Sequence, residues 1–115
     1  MSIRRLQPGA RMSHAVVHGG LVYLAGQVAS DPGEDVGGQT RQILHQIDAL
    51  LAEAGSDKSR ILTATIYLAD ISTFAEMNVV WDAWVDRSNP PARATVEARL
   101  AAPQYRVEIA VVAAA

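Results

Sequence analysis

Two charged side chains stand where a chain this apolar has least reason to put them. In "NPPARATVEARL", residues 89 to 100, Arg93, Thr95, Glu97 and Arg99 take every second position, opposite the small or apolar Ala94, Val96, Ala98 and Leu100. In "YRVEIAVVAAA", Glu108 is the one acid inside an apolar run. A guanidinium is a planar fork of donors whose geometry matches a carboxylate. A carboxylate buried alone is costly, so Glu108 calls for a cation, hydrogen-bond donors or a functional cleft nearby. Each residue also has a plainer reading: a half-buried strand whose polar side meets water, and an acid at an exposed strand edge.

Other chemistries have weaker support. His14 and His18 are four apart, a spacing that suits one metal on a helix, but on a strand it separates them by about 13 Å. His45 has only Asp48 near it in sequence, and Asp31, Glu34 and Asp35 do not follow a calcium-loop pattern. No metal site is therefore expected. The chain contains neither G-x-x-x-x-G-K-[ST] nor G-x-G-x-x-G, and Ser13-His14 lacks the G-x-S-x-G context of a serine nucleophile. Trp81 and Trp84, at helical spacing, read as core or interface packing.

Composition narrows the class. The 115 residues, half of them hydrophobic and 19% charged, suit one domain, 1–115, with its own core. A net charge of −2 and a single lysine, Lys58, argue against nucleic acid as a partner, because few phosphates could be neutralised. Cysteine is absent, which excludes disulfides and thiolate chemistry. No run approaches the roughly 18 apolar residues of a membrane span, so a cytoplasmic protein without membrane contact is expected.

The elements that must position Arg93 and Glu108 follow from local pattern. "SHAVVHGGLVYLAGQ" predicts two strands joined by a Gly19-Gly20 turn. Val36, Ile43, Leu44, Ile47, Leu50 and Leu51 form a helical stripe, weakened at its start by Gly37 and Gly38 and ended by Gly55. "RILTATIYLAD" predicts a strand with Leu62, Ala64, Ile66 and Leu68 on one side. A second helix, with Thr73 and Glu76 spaced as a capping box, carries Phe74, Met77, Trp81, Trp84 and Val85 to a stop at Asn89-Pro90-Pro91. Two more strands end the chain. The order is β-β-α-β-α-β-β, with a possible further strand at residues 2 to 6. A tight hairpin at "AAPQ" would set Glu97 against Glu108, so either the pairing differs or Arg93, Arg99 or Arg106 lies between them. The final strand is apolar on both faces, and helices on one side leave the other to be covered, for which a second copy of the chain is the expected cover.

With these segments in order, "GGLVYLAGQVASDP", "DVGGQTRQIL", "LLAEAGSDKSRILTATIYLADISTFAEMNVVWDAW", "PPARATVEARL" and "VEIAVVA", nearly the whole chain resembles the YjgF/RidA family of reactive-intermediate deaminases, also labelled endoribonuclease L-PSP or RutC-like. The resemblance implies an α+β, chorismate-mutase-like domain with two helices on one face of the sheet. It also implies a homotrimer with a central barrel-like core and clefts between subunits. It further implies hydrolysis of small imine or enamine acids without a cofactor. Arg93 would hold the substrate carboxylate and Glu108 would activate water, with Gly26, Thr95 and Asn78 as further substrate contacts. Met12 stands where the family's entry motif has tyrosine, Ala25 where its S-G-Q turn has serine, and Thr95 where cysteine is common. These replacements keep the carboxylate-binding arginine and remove a hydroxyl lid and a polar wall. The alternative they raise is a non-catalytic carboxylate-binding or regulatory module.

Overall fold

The computed structural model describes residues 2–115. Strand β1 (Arg4–Leu6), which is the further strand at residues 2 to 6, lies antiparallel to β2 (Ala15–His18). Gly19 and Gly20 take φ values of 62° and 80°, the left-handed pair that a two-residue turn requires. They fold β2 back onto β3 (Leu21–Leu24), with His18 opposite Leu21.

Helix α1 (Val36–Glu53) starts where the Asp35 carboxylate accepts the Gly38 N–H at 2.9 Å. This cap supports the two glycines of the first turn. Its apolar stripe is buried as expected, and the chain leaves it through Gly55 at φ 84°.

Strand β4 (Ile61–Leu68) departs from the predicted alternation at one end. Its register against the last strand shifts between Ile61 and Thr63, so Ile61 is buried and Leu62, expected inside, is exposed. A bulge adds one residue to one strand and turns its neighbours to the other face.

Helix α2 (Phe74–Trp84) does not use the expected capping box. The Thr73 hydroxyl donates to the Asp70 carbonyl at 2.6 Å, and Glu76 accepts the Gly37 N–H of α1 at 3.2 Å. Glu76 thus links the two helices instead of closing its own. The entry to α2 is set by Asp70, whose carboxylate accepts from the Ser72 hydroxyl and N–H and is held below its ordinary pKa by them. Glu97 accepts the Ile71 N–H at 3.0 Å and braces the same turn. The helix ends at Trp84, ahead of the Asn89-Pro90-Pro91 segment that the sequence suggested as its stop.

The sheet order is β1-β2-β3-β6-β4-β5, where β5 is Ala92–Glu97 and β6 is Val107–Ala114. All neighbours are antiparallel except β4 and β5, which α2 connects in parallel. A parallel pair needs a crossover, and a helix is its usual form. The last two strands therefore do not form a hairpin. β4 lies between them, Glu108 is opposite Tyr67, and Glu97 is opposite Leu68.

Both helices cover one face of this mixed α+β fold. Ala64, Ile66 and Leu68 of β4 and Val107, Ile109, Val111 and Ala113 of β6 join Ile43, Leu44, Ile47, Met77 and Trp81 in the core. The other face carries Tyr23, Tyr67, Ala110 and Val112, and no helix among the described residues covers it. β5 alternates with the predicted period but with its burial reversed: Arg93 and Thr95 are half-buried toward the helices, and Ala94 and Val96 are exposed. No helix among the described residues is long and apolar enough to cross a membrane.

Glutamines spaced along α1 tie the loops to this frame. Gln39 is fully buried: its amide donates to the carbonyls of Pro32, Glu34 and Gln104, and its oxygen accepts the Arg106 N–H at 2.9 Å. Gln42 exchanges hydrogen bonds with the Asp31 backbone, and Gln46 donates to the Val28 carbonyl at 3.0 Å. Gln39→Leu strands a buried N–H and several carbonyls. Denaturant unfolding at fixed protein concentration is expected to show a loss of about 2–4 kcal/mol, reflecting the cost of buried unsatisfied groups.

Candidate functional site

The β4–α2–β5 crossover decides where Arg93 points. In the parallel register Arg93 is opposite Ala64, which belongs to the core face, so its side chain enters the layer occupied by α2. There Nη1 donates to Asn78 Oδ1 at 2.8 Å. The guanidinium carbon lies 5.2 Å from the Trp81 ring centroid and 5.7 Å from that of Phe74, within the range of cation–π attraction. Arg93 is thus held by one helix while other N–H donors remain. The chemistry this offers is in-plane recognition of a planar anion.

Thr95 follows on the same face. Its Oγ1 is covered by protein and has no hydrogen-bond partner, which carries a desolvation cost. A substrate contact by Thr95 would require the hydroxyl to rotate out of this position. Asn78, the other expected substrate contact, is already engaged with Arg93.

Glu108 is part of a different cluster. It faces the open side of the sheet, half-buried, beside Tyr67 of β4. Gln27 exchanges backbone hydrogen bonds with Ile109, at 2.8 and 3.1 Å, which brings the preceding Gly26 alongside Glu108. The approach is so close that a Cβ on Gly26 would lie 2.2 Å from Glu108 Oε2. Gln27 is kept in place by its amide bond to the Ala25 carbonyl and by Gln46 of α1. A carboxylate pressed against exposed glycine backbone is an acid–base group next to main-chain donors and acceptors, and such an arrangement can hold and deprotonate water.

The expected residues therefore fall into two groups, Arg93 with Asn78 and Thr95, and Glu108 with Gly26. The strand register sets them on opposite faces of the sheet. A cavity of about 650 Å³ is lined by Ala69, Glu97, Arg99, Pro103 and Tyr105 among others, and by neither Arg93 nor Glu108. No cluster of three or more potential metal-ligating side chains occurs among the described residues. Sequence reasoning did not find the part played by Phe74 and Trp81, which it assigned to packing. The spacing Phe74, Asn78, Trp81 on one helix face was the available signal. The loop-anchoring glutamines were missed as well, although polar residues inside an apolar helical stripe could have revealed Gln39.

A family model described as Endoribonuclease L-PSP matches residues 2–115. A RutC family protein of Haemophilus influenzae is 50% identical over 114 residues, with 98% of each chain covered. The RutC family protein YoaB of Escherichia coli is 48% identical, with 99% of each chain covered. Among solved structures, a member of the YjgF protein family from Neisseria meningitidis superposes with a TM-score of 0.96 at 52% identity, covering 99% of this chain and 95% of the other.

The contact at Gly26 is a direct structural test. In Gly26→Ala the new methyl displaces the end of a flexible side chain, so the Glu108 carboxylate is expected to swing away while the backbone stays. A crystal structure of the variant should show the move, with stability changed by less than about 1 kcal/mol.

Proposed function

This chain belongs to the endoribonuclease L-PSP family, to which its RutC and YjgF relatives also point, and from that premise we propose that it hydrolyses small 2-imino or enamino acids at a site shared by two copies. The observation that carries the reading is the Arg93 guanidinium, half-buried on an edge strand and fixed by Asn78 with donors to spare. Arg93 of one copy binds the substrate carboxylate. Glu108 and Gly26 of the next copy provide the water side.

The apolar surface left open in one chain supports this arrangement. Val96, Ala110 and Val112 lie on the uncovered face together with Glu108, and β5 has a free edge. Covering such a face with further copies around a closed ring is the ordinary way to remove it from water. A homotrimer with intersubunit clefts fits the reading.

In the reaction, Arg93 fixes the carboxylate and so the adjacent imine carbon. Glu108 takes a proton from water as its oxygen bonds to that carbon, and passes that proton to the imine nitrogen. In the resulting carbinolamine the hydroxyl proton moves by way of Glu108 to the nitrogen as the C=O forms and the C–N bond breaks, and ammonia and a 2-oxo acid leave. Every atom comes from substrate and water, so no cofactor is invoked. Such imines hydrolyse unaided, and positioning plus one acid–base group, worth about 10²–10⁴-fold, meets the demand. The ribonuclease in the family's description finds little support here, because the 10 Lys and Arg residues are outnumbered by 12 Asp and Glu, and the net charge of −2 does not favour a polyanion.

The test uses an amino-acid oxidase to generate the imine and follows release of the 2-oxo acid. The parent should accelerate release, and Arg93→Ala and Glu108→Gln should each reduce the acceleration at least about 100-fold. Co-assembled from equal amounts of the two variants, the trimers should recover about a quarter of parent activity, since random mixing rebuilds that share of two-copy sites. No recovery would place both residues' work within one copy and refute the shared site. Binding of 2-oxobutanoate by the parent without accelerated release would make the chain a carboxylate receptor.

A further inference from the structure

A cavity of about 410 Å³ lies in the cleft between α1 and α2, and neither Arg93 nor Glu108 lines it. Cavities that take small molecules begin at about 300 Å³. Its floor is apolar: Leu44 and Val80 are buried, and Val79 on the rim is 71% exposed. Arg41, His45 and Asp48 lie along its α1 side at positions i, i+4 and i+7, which share one helix face. Seven residues of helix separate Arg41 from Asp48 by about 10.5 Å along the axis.

The two ends of the cleft differ. At the Asp48 end the polar groups are engaged with one another. The Trp84 indole N–H donates to Asp48 Oδ2 at 3.0 Å, and Lys58 Nζ stands 5.4 Å from the Trp84 ring centroid. Trp81 supports the same ring, with centroids 5.4 Å apart and planes tilted by 55°. Asp86, the acid on the far side of Lys58, accepts from the Asn89 amide and the Ser88 N–H. Trp84 is thus a fixed wall. At the other end the Arg41 and His45 side chains are exposed, and the carboxylate on the neighbouring turn, Glu76, accepts the Gly37 N–H.

We propose that this cleft is a binding site for a carboxylate with a medium-length aliphatic chain, its head on Arg41 and His45 and its chain lying over Leu44, Val79 and Val80 toward Trp84.

The ligand class follows from the lining. A guanidinium with its plane open to solvent can take a carboxylate through two parallel N–H bonds, and a protonated imidazole one turn on adds a third donor. A cationic ligand is disfavoured, because Lys58 already occupies the cation position over Trp84. Lys58 also restricts stacking of an aromatic ligand on that ring, and the remaining floor is aliphatic. An extended chain of about eight carbons spans the distance from Arg41 to the Trp84 wall. Each CH₂ withdrawn from water there adds affinity until the chain reaches that wall.

The Trp84 indole N–H is a reporter inside the cleft, and Trp84→Phe identifies its resonance against that of Trp81. Titration of the full chain with octanoate should move this resonance saturably, with a Kd below about 1 mM. From butanoate to octanoate, binding should tighten about two- to fourfold per CH₂, and decanoate should gain little more. Arg41→Gln should weaken octanoate about fivefold or more and leave 1-octanol unchanged, as expected for loss of a charged hydrogen-bond partner. Val79→Asp, a change at an exposed position that leaves the fold intact, should weaken octanoate at least tenfold by repulsion and loss of apolar contact. Arg93→Ala should bind octanoate at this cleft as the parent does.

No saturable movement of the Trp84 resonance, or equal movement by acetate and octanoate, would overturn the site. Parent-like binding in both Arg41→Gln and Val79→Asp would overturn it as well. Loss of the octanoate response in Arg93→Ala would assign the ligand to the Arg93 pocket and refute a separate cleft. None of these results bears on imine hydrolysis, which is read by release of the 2-oxo acid.

Discussion

The parallel register between β4 and β5 is the constraint from which the rest of the site follows. Setting Arg93 opposite Ala64 turns the guanidinium into the helix layer, where α2 can hold it. A slip by one residue would send it to the open face, because strand side chains alternate with a period of two. The same period in β6 keeps Ile109 in the core and sends Glu108 the other way, beside Gly26. One sheet thus presents a cation on one side and an acid on the other. In the proposed two-copy site, the cation of one copy would meet the acid of the next.

Much of the polar interior serves to keep these two groups where they are. Gln39, Gln42 and Gln46 fasten the loop after β3 to α1, and Gln39 reaches across to the loop before β6. Buried amides of this kind contribute modestly when satisfied and cost heavily when not. They therefore specify position more than they add stability. Asp70 and Glu97 do the same for the turn that launches α2, and α2 in turn carries the residues around Arg93. The accuracy of the site is inherited from these anchors.

Several elements were legible because their cause is local. The Gly19-Gly20 turn, the stripe of α1 and the Gly55 exit depend on residues a few positions apart, and each formed as read. The misreadings share another cause. Thr73 and Glu76 have the spacing of a capping box, but a neighbouring helix offered Glu76 the Gly37 N–H. Leu62 fits the alternation of its strand, but a bulge imposed by pairing with β6 turned it outward. In each case a partner distant in sequence outcompeted the local pattern.

By itself the sequence determined the kinds and order of the elements, the two-faced apolar character of β6, and the two residues, Arg93 and Glu108, whose chemistry stands out from their surroundings. These follow from periodicity and side-chain type, which act over a few residues. Only the tertiary structure decided that β4 would intervene between β5 and β6, that the polar side of β5 would turn inward, and that Arg93 and Glu108 would face opposite ways. Strand order and register are set by which long-range pairings bury the most surface with the fewest unsatisfied groups. No stretch of sequence short enough to be read as a pattern contains that comparison.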